Sequence, residues 1–162
     1  MVKLRLSKEK RILNNMRYQE TGELHLDFHG ATNTTIDYIA KNFGEKALHE
    51  IFFAVGKKVY KSIHEKLKQG DSSELIEHWQ YFLTREKGGF QIKETSEAIV
   101  LEVSECPAVR HLLKLGLTPS PLFCNQTILV NEALCEDTPF ECKTEVLGCG
   151  KCRQTIKKRG IQ

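Results

Sequence analysis

The chain has 162 residues, 40% of them hydrophobic and 28% charged, with a formal net charge of +3. That length suits one domain, which buries roughly 70% of the surface its unfolded chain exposes and needs no staple to hold a core. The small net charge, without basic stripes and interleaved aromatics, speaks against nucleic acid as a partner, and no apolar run approaches the ~20 residues of a membrane span.

The N-terminus, Met1-Val2-Lys3-Leu4-Arg5-Leu6-Ser7, carries no apolar signal-like stretch. A cytoplasmic protein with reduced thiols is therefore expected, and a disulfide framework is not. Lys8 to Arg11 and Lys157 to Arg159 are short basic runs that read as solvated ends. Residues 1–33 are read as an N-terminal arm, with Leu24 to Phe28 alternating like a short strand. Residues 34–162 are read as a single domain with a cysteine-rich final third.

Within that domain, Ile36, Ile39, Ala40 and Phe43 mark one face of a helix that Gly44 interrupts. Glu45 to Lys68 is predicted as one long helix, with Leu48, Ile51, Phe52, Val55, Val59, Ile63 and Leu67 in a single stripe. Gly70 is its C-cap candidate, and Asp71 with Glu74 reads as a capping box for a helix burying Leu75, Trp79, Phe82 and Leu83. After Gly88-Gly89 the period changes to two. Phe90 and Ile92, then Ile99, Leu101 and Val103, predict two strands around a turn at Glu94 to Glu97. Cys106-Pro107 opens a short helix ending at Gly116, and a further helix is predicted from about Pro121 to Leu134. The chain closes on a hairpin whose tip, Gly148-Cys149-Gly150, places Val146 opposite Cys152. Helices followed by two hairpins with helices between them define an α+β fold on an antiparallel sheet.

All six cysteines lie between Cys106 and Cys152, and the first 105 residues have none. Chemistry beyond folding is therefore sought in the C-terminal third. Cys149-Gly150-Lys151-Cys152 is a C-x-x-C on a hairpin tip rather than at the start of a helix, which speaks against a thioredoxin-like role. A structural zinc site normally needs a second pair. The hairpin register sets Cys142 opposite Ile156, on the order of 13 Å along the ladder from Cys152, too far to share a metal. The metal candidates are accordingly Cys106, Cys124, Cys149 and Cys152, with zinc or another thiolate-bound ion as cofactor. Cys124 opens a helix, where the macrodipole favours a thiolate. Cys135 and Cys142 are read as core thiols. His111 is a candidate general base near Cys124 and Arg110 a candidate carboxylate holder, against the plainer expectation that both are solvated. No H-E-x-x-H, G-x-S-x-G, P-loop or G-x-G-x-x-G occurs.

Glu105-Cys106-Pro107-Ala108-Val109-Arg110-His111-Leu112, Pro121-Leu122-Phe123-Cys124 and Gly148-Cys149-Gly150-Lys151-Cys152-Arg153-Gln154 together resemble the L-2-amino-thiazoline-4-carboxylate hydrolase family. Phe43-Gly44-Glu45 before a long helix and Trp79 before a double glycine add to the likeness, which spans roughly residues 35–157. The resemblance implies hydrolysis of a cyclic isothiourea: water adds at the C=N carbon and the ring carbon–sulfur bond opens. It assigns Cys124, or a hydroxide held by a cysteine-bound metal, to the attack, His111 to proton transfer, and Arg110 with Asn131 to the substrate. The closing portion is also similar to vinyl-reductase-type sensory domains, which pair helices with an antiparallel sheet around a small-molecule pocket. Cys124, Cys142 and Cys152 match their cysteines, although the 13 Å spacing estimated above sets Cys142 apart from Cys152.

The leading expectation is a hydrolase of a cyclic amidine acting in a pocket lined by Cys106, Cys124 and Cys152. The alternatives are a non-catalytic small-molecule or zinc-binding domain, and a cysteine-rich subdomain that mediates assembly, including homo-oligomers.

Overall fold

The computed structural model describes residues 26–160. Leu24 and His25, two of the five residues of the strand expected in the arm, lie outside the described residues. Phe28 and its neighbours are helical instead. Helix α1 runs Asp27–Phe43, so it begins seven residues before Thr34 and takes in His29 and Asn33. Gly44, with φ of 82°, breaks the chain between α1 and α2 (Glu45–Ala54). No described helix is long and apolar enough to cross a membrane.

The long helix expected from Glu45 to Lys68 is in fact three pieces. After α2 comes one π-turn, Val55–Val59, and then α3 (Lys61–Lys68). The Tyr60 N–H reaches back to the Val55 carbonyl at 3.2 Å, five residues away. Gly56 explains the place of this turn: a Cβ there would stand 2.6 Å from the Cβ of Ala133, so only glycine lets the two backbones approach. The extra residue rotates the apolar stripe. Leu48 is buried in one cluster and Ile63 and Leu67 in another, whereas Val59 is 58% exposed. Gly70, at φ of 78°, caps α3 as expected.

Helix α4 is Ser73–Arg85. Its start is fastened by Asp71, whose carboxylate accepts from the Ser73 N–H at 2.9 Å. Strands β1 (Gly89–Glu94) and β2 (Ala98–Glu105) form the first hairpin. Helix α5 (Pro107–Lys114) follows, with Pro107 in its first turn. Pro121 to Cys124 is a turn, and helix α6 occupies Asn125–Cys135. Strands β3 (Phe140–Gly148) and β4 (Lys151–Lys158) close the fold.

The four strands make one antiparallel sheet in the order β1-β2-β4-β3, so the two hairpins meet along β2 and β4. The expected register of the second hairpin holds: Val146 faces Cys152 and Cys142 faces Ile156. One sheet face is apolar. Ile99, Leu101, Val103 and Ile156 pack there with Trp79, Leu83, Ile63, Leu67 and Leu134. The other face is charged, and Glu102 pairs across strands with Arg153 at 3.0 Å and Lys93 at 3.4 Å. A second cluster of Ile36, Leu48, Val109, Leu112 and Phe123 joins α1, α2, α5 and the turn before α6. Cys106 packs against both clusters.

Gly56→Ala tests the α2–α6 approach. The added methyl overpacks Ala133, and the variant loses about 1–3 kcal/mol in a urea unfolding titration relative to the unaltered chain.

Candidate functional site

Four of the thiols gather around the tip of the second hairpin. Cys106 leaves β2 and precedes α5, with φ −72° and ψ 120°. Its backbone N–H donates to the Gly150 carbonyl at 2.8 Å. Gly150 adopts φ of 72°, and a Cβ there would lie 3.5 Å from Val109 on α5. The tip carrying Cys149 is thereby held on the strand-to-helix junction. Cys152, one residue into β4, faces Val103 of β2 and Val146 of β3. Cys124 ends the turn before α6, and its carbonyl accepts from the N–H groups of Thr127 and Ile128.

The thiols act on one another electrostatically. Burial raises the Cys124 thiol first, and Cys106, Cys152 and Cys149 each raise it further. Cys152 is raised by burial and by Cys106, against a bond at 3.6 Å in which Gln154 Nε2 donates to its sulfur. Burial raises Cys106 as well, while the nearby N–H groups of Val109 and Ala108 pull the other way. The lowering expected for Cys124 from the helix macrodipole is outweighed by desolvation and by three nearby thiols. Cys149 is exposed and the other three are half-buried. Among the described residues, no group of three or more His, Cys, Asp or Glu side chains already stands close enough to hold a metal ion.

A buried polar network adjoins Cys106. His29 Nε2 donates to Glu86 Oε2 at 2.9 Å, and both side chains are at most 5% exposed. The Glu86 charge is felt at the Cys106 thiol. His111 lies 6.3 Å from His29 between ring centres. Among the described residues its buried Nε2 has no hydrogen-bond partner, and the exposed Asp27 carboxylate lies 3.6 Å away. Arg110 is occupied by the protein itself: its guanidinium donates to the carbonyls of Glu86 at 2.8 Å and Lys87 at 2.9 Å, and pairs with Glu105 at 3.2 Å. Those bonds hold the left-handed turn at Lys87, whose φ is 55°. Asn131 is likewise engaged, with Nδ2 donating to Gln154 Oε1 at 2.8 Å and Thr144 Oγ1 at 3.0 Å.

From sequence, Cys106, Cys124, Cys149 and Cys152 are the expected metal ligands and His111 a base near Cys124; the structure sets His111 on α5 near His29 and Asp27. Sequence patterns do not single out His29 and Glu86. The first falls in what reads as an arm, and the second is one more charged residue at a helix end, with no motif to mark it. A cleft of about 460 Å³ lies at the other end of β4, among Ser73, Glu94, Glu97, Phe140, Ile156 and Lys158. It is not the hollow lined by Cys106, Cys124 and Cys152 that the sequence analysis expects. No protein-family model, curated protein or solved structure matches the chain.

A double-mutant cycle tests the buried pair. His29→Leu leaves the Glu86 carboxylate buried without its partner and costs about 3–5 kcal/mol. Adding Glu86→Met removes that penalty, so the double variant unfolds at higher urea than His29→Leu alone. A double variant as unstable as the sum of the two singles would show that the pair is not coupled.

Proposed function

We propose that this chain is a zinc-binding domain in which Cys106, Cys124, Cys149 and Cys152 hold the ion. The observation that carries this reading is the bond from the Cys106 N–H to the Gly150 carbonyl, at 2.8 Å. It brings the thiol that precedes α5 to the middle of the C-x-x-C, and Cys124 feels all three of the other sulfurs. Each cysteine has one side-chain torsion ahead of its sulfur, and rotation about it is the movement this reading requires of the four thiols. Four thiolates complete a tetrahedral zinc shell and leave no open position, the pattern of a structural centre. Donors to sulfur are already in place at Val109, Ala108 and Gln154, as thiolate ligands require of their surroundings. When bound, zinc supplies a cross-link among β2, the turn before α6, and the hairpin tip.

A second reading is hydrolysis of a cyclic amidine of the 2-amino-thiazoline-4-carboxylate type. The buried Nε2 of His111, which makes no hydrogen bond among the described residues, favours it. Such an atom is costly unless it serves a ligand or a proton transfer. In this reading Cys124 attacks the ring carbon and His111 carries the proton, while Arg110 maintains the Glu86–Lys87 turn rather than binding substrate.

Native mass spectrometry of the full chain after zinc addition distinguishes the two readings. One zinc per chain is expected, lost in Cys106→Ser, Cys124→Ser and Cys152→Ser and kept in Cys142→Ser. A metal-free native chain, or zinc loss in Cys142→Ser, overturns the zinc reading. Turnover of 2-amino-thiazoline-4-carboxylate by the metal-free chain that disappears in folded His111→Gln and in folded Cys124→Ser establishes the hydrolase.

A further inference from the structure

The remaining two thiols form a separate pair. Helix α6 ends at Cys135, which is 2% exposed. The chain then reverses through Glu136 to Pro139. Thr138 Oγ1 donates to the Cys135 carbonyl at 2.8 Å and accepts from the Phe140 N–H at 3.1 Å. This turn returns β3 along α6 and brings Cys142 back to Cys135, where the two side chains share a hydrogen bond. Cys142 is half-buried and lies on β3, an edge strand of the sheet. Cys142, opposite Ile156, stands apart from Cys152 along the ladder.

The surroundings favour negative charge on one sulfur. Arg159, whose Nε donates to the Phe140 carbonyl at 2.9 Å, acts on both thiols. Lys57, which donates to the Glu136 carbonyl at 3.2 Å, acts on Cys135. Glu132 and Glu141 oppose them at Cys142. The hydrogen bond from Cys135 lowers the Cys142 thiol against the effect of burial, and the same bond, with burial, raises Cys135. A more accessible thiolate beside a protonated, buried thiol is the arrangement of an attacking and a resolving cysteine.

We propose that Cys135 and Cys142 are a redox-modification site that closes to an intramolecular disulfide by exchange with a low-molecular-weight disulfide. The Cys142 thiolate attacks one sulfur of that disulfide and forms a mixed disulfide, releasing one small thiolate. Cys135 then gives up its proton, attacks the Cys142 sulfur and displaces the second small thiolate. Both leaving thiolates take up protons. Two protein thiols are oxidised by two electrons, and one small disulfide is reduced to two thiols.

The full chain is exposed to glutathione disulfide, alkylated, and digested without reduction for peptide mass mapping. A Cys135–Cys142 cross-link is expected, reversible with dithiothreitol and without change in far-UV circular dichroism. Cys135→Ala is expected to accumulate a glutathione adduct at Cys142. Its Cys142 is alkylated severalfold more slowly at neutral pH, because the donor to the thiolate is gone. Free Cys135 and Cys142 after treatment, a bond from Cys142 to any other cysteine, or an unchanged alkylation rate in folded Cys135→Ala each overturn the proposal.

Discussion

The hydrogen bond from the Cys106 N–H to the Gly150 carbonyl, 2.8 Å long, is the constraint on which the candidate site depends. Two sheet pairings aim the chain at it: β2 against β4 sets Val103 opposite Cys152, and β3 against β4 sets Val146 opposite the same residue. The pairings bring the hairpin tip level with the end of β2, and the hydrogen bond joins the two. Gly150 is suited to the position because it takes a positive φ, and a Cβ there would lie 3.5 Å from Val109. Cys106 in turn packs on both hydrophobic clusters. The place where thiols gather is thus also where the helix-on-sheet core meets the core formed by α1, α2 and α5.

The sequence makes the sheet legible because strand signals are local. Alternation in Ile99, Leu101 and Val103 and in Cys142, Thr144 and Val146, with glycines at the tip, is enough to set strand ends, register and facing residues. The long helix shows where that approach stops. Its apolar stripe is continuous on a 3.6-residue period, but the fold needs Gly56 against Ala133, and the π-turn that accommodates this contact shifts the phase midway. A tertiary contact overrides a local period, and nothing within residues 45–68 announces it.

The same division runs through the site. Ladder spacing separates Cys142 from Cys152, and with Cys135 read as a core thiol the sequence leaves Cys106, Cys124, Cys149 and Cys152 as candidates. The polar network is not legible in this way. His29 and Glu86 are 57 residues apart, the first in what reads as an arm and the second an ordinary charged residue at a helix end, until the fold brings them together. Arg110 shows the converse error. Its position after Cys106-Pro107 suggests a hand for a carboxylate ligand, whereas its donors are taken up by the Glu86 and Lys87 carbonyls. A guanidinium already holding a left-handed backbone turn has an architectural task, and moving it to a ligand would release two carbonyls into a half-buried setting.

The six cysteines divide four and two, and the division follows from the length of β3 and β4. The hairpin tip presents Cys149 and Cys152 at one end of the sheet, and Cys142, level with Ile156, falls toward the other. There it meets the C-terminus of α6, whose first turn begins beside Cys124. One helix therefore has a thiol of each group at its two ends, Cys124 before Asn125 and Cys135 as its last residue. Its middle is fixed by Asn131, whose side chain bonds to Thr144 on β3 and Gln154 on β4. Gln154 also donates to the Cys152 sulfur. A covalent bond at the Cys135 end would act on the same helix that follows Cys124, whose middle Asn131 ties to β3 and β4.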